Sequence, residues 1–499
     1  MNILLVYPQY PDTYWSFRHA LRFISKKAAV PPLGLITVSA MFPPTWQKKL
    51  VDMNVVPLQT KDLIWADFVF ISAMYVQKES VDRVIAECLR YEVKMIAGGP
   101  LFTQESDNYP QIDHFILNEA EITFPPFLED LKAGRPLQKK YTTREYADIK
   151  SSPVPDYQLL SRKDYASMNM QVSRGCPFSC DFCEITTLLG HEVRMKSTNQ
   201  ILEELNTLYN LNWRGPVSIV DDNFIGNKKA VKTDLLPAMK SWMQEHKYPF
   251  AFGVQASINL SDDEELMNLM VETGFNHAFV GIETPDAESL HDCHKMQNNN
   301  RDLIQCVKKI QQAGMQVSGG FIIGFDSDLP SIFQRQIDFI QQSGIVSAMV
   351  GLLNAPKNTK LYERLKAEKR LTTESSGSNT DFSMNFIPKM NAHELLEGYK
   401  TVIRNIYEAK PYYKRIRRFL LNYRRPPSKQ MRIEFSYLKA FFKSVIIIGM
   451  ISRGRREFWK FFVWTLVRRP GSFLDAMIFT VYGYHYRAVF GISKTNFIY

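Results

Sequence analysis

The chain contains few cysteines, and their distribution argues against a disulfide framework. Six cysteines occur in 499 residues, and three of them, Cys176, Cys180 and Cys183, fall within eight residues. The other three are scattered along the chain. Disulfide-stabilised domains carry paired cysteines in a short secreted chain. The composition therefore favours a reducing compartment, and we expect a cytoplasmic protein.

Long apolar runs are also missing. No run reaches the ~18–20 residues that a membrane-spanning helix needs, and the longest, around 444–451 and 461–467, are flanked by Lys and Arg. The N-terminus has no basic region followed by an apolar one, so we expect no secretory signal. No G-x-G-x-x-G follows the first predicted strand, which argues against a nicotinamide-binding domain.

Acidic residues are scarce in one region. Between Lys410 and Arg469 there are 17 lysine and arginine residues and two acidic residues, whereas residues 1–409 carry a net charge of −6. These basic clusters alternate with Phe, Trp and Tyr. Three interpretations fit: a helical cap with a solvated basic face, helices lying on an anionic membrane surface, or a nucleic-acid-binding patch. Nucleic acid is the least favoured partner of the three.

Alternation of apolar strands and helical segments predicts two α/β regions. The strands predicted for the first region are 2–7, 49–53, 67–71, 94–97 and 114–117. Those predicted for the second are 169–173, 217–221, 250–256, 277–282, 317–323 and 346–352. The first set indicates a doubly wound parallel sheet and the second a partial (β/α)6 barrel. Both architectures bind ligands at the carboxyl ends of their strands.

Two polar segments divide the chain. Residues 136–166 contain Pro153 and Pro155, and residues 366–384 are rich in Ser and Thr, as is typical of connections. We therefore expect an α/β chain of four parts. These are a sheet domain over 1–135, a linker over 136–166, a partial barrel over 167–365, and a mostly helical, basic and aromatic domain over 366–499.

The segment from Ser173 to Cys183 spaces its cysteines as C-x3-C-x2-C, directly after a predicted strand. Thiolates are the usual ligands of iron–sulfur clusters. Three thiolates on one loop can hold three irons of a 4Fe-4S cluster and leave the fourth iron open, as catalytic metal sites require. The alternative is structural zinc, with His191 completing a Cys3His site. Structural zinc often uses two CxxC pairs, and the sequence has no second pair.

The cluster motif and the strand-end segments that follow it resemble radical S-adenosylmethionine (SAM) enzymes. In that family SAM chelates the open iron. An electron, delivered by an external donor through the cluster, cleaves SAM to a 5′-deoxyadenosyl radical that abstracts hydrogen. The resemblance implies that Phe182 lies beside the adenine of SAM. It implies further SAM contacts from Asp222, Ser257, Glu283, Gly320, Ile322 and Gly324. The last three form a Gly-x-Ile-x-Gly segment, which by itself usually reflects close packing.

The first domain resembles the cobalamin-binding domains that precede many radical SAM barrels. Domains that ligate cobalt through His carry D-x-H-x-x-G, then S-x-L, then G-G. Here Asp52 is followed by Asn54 in place of the His, while Ser72 and the pair Gly98-Gly99 are retained. Asn is a poor transition-metal ligand, so we expect no ligand to cobalt from this position. The nucleotide tail would enter near Ser72 and the glycines, which allow close approach. The alternative is a vestigial domain that binds nothing.

Further segments resemble a narrower group of cobalamin-domain radical SAM proteins with an uncharacterised C-terminal domain. They include 15–17, 220–227 and 385–390. That group is similar to hopanoid C-2 methylases and archaeal lipid-ring synthases, which modify unactivated carbons of membrane lipids. The resemblance implies methyl transfer to a lipid-like or other small apolar substrate. Radical carbon–carbon bond formation or cyclisation without methyl transfer, and modification of RNA or protein, are the alternatives.

Overall fold

The computed structural model describes residues 1–373, 375–378, 380–425 and 435–492. Its strands are β1 (Asn2–Tyr7), β2 (Gln47–Asp52), β3 (Phe68–Ser72), β4 (Lys94–Gly98), β5 (His114–Ile116), β6 (Lys140–Tyr141), β7 (Met168–Met170), β8 (Ser173–Arg174), β9 (Arg194–Met195), β10 (Gly215–Ile219), β11 (Phe250–Ala256), β12 (Phe275–Glu283), β13 (Gln316–Ile323) and β14 (Ala348–Leu352).

Helices cover both sheets and form most of the C-terminal region. They are α1 (Arg18–Leu21), α2 (Leu33–Met41), α3 (Thr60–Trp65), α4 (Lys78–Arg90), α5 (Pro100–Glu105), α6 (Ala120–Lys132), α7 (Ile185–Leu189), α8 (Thr198–Asn210), α9 (Lys228–Ala230), α10 (Leu236–Glu245), α11 (Glu264–Thr273), α12 (Ala287–Asp292), α13 (Leu303–Ala313), α14 (Ile332–Ser343), α15 (Lys360–Ala367), α16 (Ala392–Tyr407), α17 (Ala409–Asn422), α18 (Phe435–Ser444), α19 (Arg455–Arg468) and α20 (Phe473–Val489). π-helical turns lie at Val231–Leu235 and Val445–Ile451.

The first sheet has the strand order β2-β1-β3-β4-β5-β6, with every pair parallel. The residues Ile3 to Val6 of β1 are all fully buried, because helices cover both faces of a parallel sheet. The sheet extends past residue 135, because Lys140 of β6 pairs with Phe115 of β5. Part of the predicted linker, the strand β6, therefore belongs to the first sheet.

The second sheet has the order β14-β13-β12-β11-β10-β7 and is also parallel throughout. It is open, since β14 and β7 do not pair, and helices pack on its outer surface. This is the partial (β/α)6 barrel that the sequence predicts, so the predicted α/β fold class is confirmed. Six parallel strands bring six carboxyl ends to one rim, where a shared site can form.

The C-terminal helices pack against the open edge of the barrel at β14. Tyr399 of α16 donates a hydrogen bond to the Val350 carbonyl at 2.9 Å, and Tyr407 donates to the Ala348 carbonyl at 2.6 Å. Arg415 of α17 is fully buried and donates to the Val346 carbonyl at 3.2 Å. The inner face of this region is thus a packed cap on the barrel.

The segment that follows β1 also joins this cap. The Tyr14 ring stacks on Tyr486 of α20 at a centroid distance of 4.5 Å. Residues 426–434 and 493–499 of the predicted C-terminal domain lie outside the described residues. Within the described ranges, no helix combines the length and the hydropathy that crossing a bilayer requires.

Candidate active site

The cysteine loop follows β7 and is framed by the β8–β9 hairpin. Its entry needs a glycine. Gly175 has φ +93°, and a Cβ at that position would lie 2.2 Å from the Glu192 carbonyl oxygen. Beyond the glycine, the Cys176 amide donates to the Gly190 carbonyl at 3.2 Å. The backbone path of the loop is therefore fixed from both ends of the hairpin.

Buried ion pairs connect this hairpin to the first domain. Arg194 of β9 donates to both carboxylate oxygens of Glu119, at 2.7 and 2.8 Å. Arg174 of β8 donates to both oxygens of Glu121, at 2.8 and 3.0 Å. Both carboxylates lie at the start of α6 and are almost fully buried. Paired, multiply hydrogen-bonded charges of this kind are costly to break.

Cys176, Cys180 and Cys183 are half-buried free thiols at the rim of the barrel. Burial raises the pKa of all three, that of Cys183 to about 12. Metal binding deprotonates such thiols and offsets the cost of burying the thiolate. Within the described residues, no three His, Cys, Asp or Glu side chains converge on one point. A cubane cluster does not need such convergence, because each thiolate binds a different iron.

Two polar residues from the segment after α12 lie beside the cysteines. Gln297 donates a hydrogen bond to the Cys180 sulfur at 3.7 Å. Lys295 donates to Glu283 at 2.8 Å, and its ammonium group is close enough to Cys180 and Cys183 to affect their pKa values. Neither Lys295 nor Gln297 belongs to a motif, and sequence reasoning did not identify them.

Glu283 lies at the end of β12, as predicted, in an unusual conformation. It has φ +63°, and its carboxylate turns back over Gly281 to reach Lys295. A Cβ on Gly281 would lie 2.5 Å from the Glu283 carboxylate oxygen, so the glycine leaves room for this pair. Strained backbone of this kind clusters at functional sites.

Asp221 and Asp222 follow β10 and differ in their surroundings. Asp221 accepts hydrogen bonds from the Val172 amide at 2.7 Å and from the Ser173 hydroxyl at 2.6 Å. Asp222 has a buried Oδ2 with no hydrogen-bond partner in the described structure. Burial, and then the charge of Asp221, raises the pKa of Asp222 to about 7. An unpartnered buried carboxylate oxygen near Cys176 fits a ligand that carries an ammonium group.

Ser257, at the end of β11, is held by its neighbours. Its amide and hydroxyl donate to the Asn223 side-chain oxygen at 3.1 and 3.3 Å, and its hydroxyl also reaches Asn259 at 2.6 Å. The structure thus places Ser257 beside Asp222 at the same rim. Its hydroxyl can still accept a hydrogen bond from a ligand.

A small apolar cluster brings Phe182 and Ile322 together, as the resemblance implies. Both pack against buried residues that include Cys293, Phe325 and Leu353. The rings of Phe182 and Phe325 meet edge to face at 6.1 Å. An apolar, aromatic surface of this kind near the cysteine loop is suited to contact with an aromatic base.

The two predicted glycines, Gly320 in β13 and Gly324 directly after it, each make room for a neighbour. A Cβ on Gly320 would lie 3.0 Å from the Phe279 ring. Gly324 has φ +110°, and its amide donates to Asp328 at 2.8 Å. Asp326, unlike Asp328, accepts no hydrogen bond from the Gly324 amide and pairs with Arg370 at 2.6 Å. The acidic groups here therefore shape the loop rather than face the site.

Ser72, Gly98 and Gly99 lie together at the carboxyl ends of β3 and β4. Gly99 has φ +88°, and a Cβ there would lie 2.7 Å from the Ser72 hydroxyl oxygen. A Cβ on Gly98 would lie 2.7 Å from the Ile116 carbonyl oxygen. Without side chains at Gly98 and Gly99, the strand ends pack closely around the Ser72 hydroxyl, and we call these three residues the cradle.

Asp52 and Asn54 have other partners. The Asn54 amide group accepts from the Tyr10 backbone amide and donates to Asp52, both at 2.8 Å. Asp52 also accepts from the Tyr165 hydroxyl at 2.9 Å. These two residues therefore hold the loop after β1, and their polar groups are already satisfied.

The sheet order explains this placement. Since β1 lies between β2 and β3, the crevice where the order reverses opens between the ends of β1 and β3. Tyr10 follows β1 and Met74 follows β3, and the Tyr10 hydroxyl donates to the Met74 sulfur at 3.3 Å. Sequence motifs did not identify Tyr10, while Met74 occupies the Leu position of the S-x-L motif. The strand order places both residues at the crevice.

A cavity of about 2950 Å³ connects this crevice with the barrel interior and the C-terminal helices. Near the crevice its wall includes Tyr10, Met74 and Trp15. The Trp15 ring meets Phe279 of β12 edge to face at 5.2 Å. Farther on, the wall includes Phe441 of α18 and Tyr482 of α20. A cavity of this size accommodates a substrate much larger than a typical metabolite.

Comparisons with known proteins agree with this layout. Residues 170–340 match the radical SAM superfamily, and residues 359–496 match a domain of unknown function designated DUF4070. An uncharacterized methyltransferase of Synechocystis sp. is 42% identical over 432 residues, which cover 86% of this chain and 80% of that protein. Hopanoid C-2 methylase of Rhodopseudomonas palustris is 31% identical over 496 residues, covering 97% of this chain and 92% of that protein.

Two solved structures share the fold at low sequence identity. The cobalamin-dependent SAM radical enzyme OxsB, with aqua-cobalamin and SAM bound, aligns with a TM-score of 0.63 at 14% identity, over 98% of this chain and 79% of that chain. The radical SAM methyltransferase TsrM of Kitasatospora setae, with cobalamin and a [4Fe-4S] cluster bound, aligns with a TM-score of 0.59 at 14% identity, over 80% of this chain and 84% of that chain.

Proposed function

This chain belongs to the radical SAM superfamily, in the cobalamin-type group with a C-terminal DUF4070 domain, and from that premise we propose that it methylates an unactivated carbon of a lipid-like substrate. The observation that supports SAM binding, on which the proposal depends, is the buried, unpartnered Asp222 oxygen beside a three-cysteine loop. Two relatives that align over most of their length are named as methyltransferases, and one of them acts on a hopanoid.

The cofactors of this enzyme are a 4Fe-4S cluster, SAM and cobalamin. When bound, the cluster and SAM supply a radical that abstracts hydrogen, and cobalamin supplies the methyl group. In our proposal the thiolates of Cys176, Cys180 and Cys183 hold the cluster. Gln297 donates a hydrogen bond to one of these sulfurs, and such bonds tune the reduction potential of a cluster.

We assign the SAM-binding roles to side chains around the same rim. Asp222 accepts the ammonium group, because its Oδ2 is buried and otherwise unpaired. Phe182 and Ile322 flank the adenine. Glu283, held by Lys295, and Ser257, held by Asn223, present oxygen atoms to the polar parts of SAM. Gly320 and Gly324 keep the fifth strand of the barrel close to the ligand.

For cobalamin we propose the cradle of Ser72, Gly98 and Gly99 as the site of the nucleotide tail. Tyr10 and Met74, which flank the crevice between β1 and β3, would contact the bound cobalamin in this proposal. Asp52 and Asn54 position the Tyr10 loop instead of contacting cobalt, since their polar groups are satisfied by each other, by Tyr10 and by Tyr165.

The partners follow from this chemistry. An external electron donor must reduce the cluster. The large cavity, whose wall contains many aromatic and aliphatic side chains among polar ones, is the site we propose for the substrate. Lipid-like molecules of this size reside in membranes. We therefore propose that the basic C-terminal helices bring the enzyme to the cytoplasmic surface of a membrane.

Comparison of lipid extracts tests the function. Extracts from a deletion strain and its parent are compared by mass spectrometry, and a Cys180→Ser complement serves as the inactive control. We expect one lipid class to differ by the mass of one CH2 unit, present in the parent and absent from both other strains. A product that has lost two hydrogens would indicate cyclisation instead, and modified RNA with unchanged lipids would overturn the proposal.

A further inference from the structure

Two adjacent helical segments of the C-terminal region present apolar stripes to the solvent. Along α18 and the π-helical turn after it, every fourth residue is apolar and exposed: Leu438, Phe442, Ile446 and Met450. Along α19 the exposed apolar residues are Trp459, Val463, Leu466 and Val467. These eight side chains are between 39% and 73% exposed. Spacings of three and four residues place them on one face of each segment.

The two segments form one surface, which we call the α18–α19 face. Trp459 of α19 donates a hydrogen bond to the Gly449 carbonyl in the π-helical turn at 2.9 Å. Phe458 packs against the same glycine, where a Cβ would lie 2.9 Å from its ring. On the inner side, Phe461 stacks on Tyr413 of α17 at 5.1 Å. The inner side of α19 is thus anchored to the protein, while the outer stripe has no covering element among the described residues.

Cations surround this face. Residues 435–469 contain eight lysine and arginine residues and a single acidic residue, Glu457, which pairs with Lys460 at 2.8 Å. Arg453, Arg455 and Arg456 are exposed at the turn between the two segments. Exposed apolar stripes flanked by cations, with an aromatic residue in the stripe, are the pattern of helices that lie in the plane of an anionic membrane.

The cavity extends to the same face. Leu438 belongs to the exposed stripe and also lines the cavity. From there the wall continues along Phe441 and Ser444 of α18 and Ile478 and Tyr482 of α20 toward the barrel interior. A molecule that leaves a membrane at α18 therefore meets aromatic and aliphatic side chains of the cavity wall.

We propose that the α18–α19 face inserts into the headgroup region of an anionic membrane and admits the lipid substrate to the cavity past Leu438. The inference rests on the proposed function for the identity of the lipid substrate, but the membrane contact itself is independent of catalysis. The positive charge of this surface favours an anionic bilayer as its partner and disfavours a second copy of this chain, because two such faces would repel each other.

Vesicle flotation tests the contact. The full-length protein is mixed with phosphatidylcholine vesicles, with or without phosphatidylglycerol as about a third of the lipid. We expect binding to the anionic vesicles, weakened at high salt, and little binding to the neutral ones. The double variant Phe442→Glu with Val463→Glu should lose binding by about tenfold or more, because both side chains must enter the apolar layer.

Ile64→Glu is the matched control. Ile64 is 71% exposed on α3 of the first domain, so the same chemical change there should leave vesicle binding unchanged. All three proteins should keep the circular dichroism spectrum and, after cluster reconstitution, the same rate of SAM cleavage, since Phe442 and Val463 lie outside the cavity wall.

Three results would overturn the inference. They are no binding of the wild type to anionic vesicles, equal binding by the wild type and the double variant, and a dimer in sedimentation that the double variant converts to monomer. Loss of the proposed methylated lipid from the cell tests a different claim. A protein that binds vesicles through this face but yields no methylated product would refute the function and leave the membrane contact standing.

Discussion

Asp221 and Asp222 are adjacent in the chain, and their different partners predict different effects of the same substitution. Asp221 is saturated with hydrogen bonds that fix the base of the cysteine loop. Asp222 keeps a buried oxygen without a partner. Burial raises the pKa of both carboxylates, so each costs free energy when ionised. Asp221 offsets that cost with hydrogen bonds that fix the loop, whereas Asp222 keeps one oxygen without a partner until a cationic ligand arrives.

Asp222→Asn should stabilise the protein without its cofactors and weaken SAM binding. Since burial raises the pKa of Asp222 to about 7, ionisation costs stability as the pH rises from about 4 through 7. Thermal unfolding at pH 8 should show the variant more stable by about 2 kcal/mol, with little difference near pH 4. The affinity of the reconstituted protein for SAM should fall by about tenfold to a hundredfold.

The neighbouring variant Asp221→Asn is the control for this prediction. It replaces one of the two carboxylate oxygens that accept from Val172 and Ser173 with an amide nitrogen, so it should lower stability by about 1–3 kcal/mol. If Asp222→Asn were destabilising at pH 8, or bound SAM as well as the wild type, the role assigned to Asp222 would be wrong.

The three loop cysteines should be individually necessary for the cluster. After anaerobic reconstitution, Cys180→Ser should contain little of the iron and of the visible absorbance that the wild type shows. The loop has only three thiolates, and the cluster needs all of them. Cys306→Ser, on α13 and outside the loop, should keep both. Full iron content in Cys180→Ser would contradict the assignment.

At the scale of elements, the entry to the cysteine loop depends on one backbone conformation. Gly175→Ala places a Cβ against the Glu192 carbonyl at a positive φ, so it should cost about 3 kcal/mol and reduce iron incorporation. Gly134→Ala, also at positive φ but with open space around it, should cost only about 1 kcal/mol. Urea unfolding measures both, and equal losses would show that the hairpin adjusts.

The sequence predicts most of the strands because a parallel sheet covered on both faces needs continuous apolar runs. Ile3 to Val6 and Phe68 to Ile71 are such runs, and both are buried strands. The pairs β5–β6 and β8–β9 were missed, because two-residue strands leave no periodic signal.

The candidate site could be predicted only where it follows strand ends. Cys176, Asp222 and Ile322 were found through their motifs. Lys295 and Gln297 reach the cysteines from a loop whose path no local pattern encodes. Asp52 and Asn54 were predicted to contact cobalamin because they match the order of the cobalamin motif, and this stays a prediction. The sheet order adds Tyr10 and Met74 at the crevice.

At the scale of the whole molecule, Glu119 joins the first domain to the barrel. It accepts from Arg194 and from the Ala147 amide, and it is almost fully buried. Glu119→Gln should lower the free energy of unfolding by about 3 kcal/mol, since it leaves a buried arginine without its carboxylate. Glu79→Gln, whose side chain is 92% exposed, should have no measurable effect. Thermal unfolding of both variants checks this, and equal melting temperatures would show that the interface does not depend on charge.

The whole account depends on one iron of the cluster that no protein side chain binds. Electron paramagnetic resonance of the reconstituted, reduced protein, recorded with and without SAM, tests this most directly. We predict a 4Fe-4S signal that changes when SAM is added, with 5′-deoxyadenosine released on turnover. Zinc in place of iron, or a cluster signal that SAM leaves unaltered, would contradict the account.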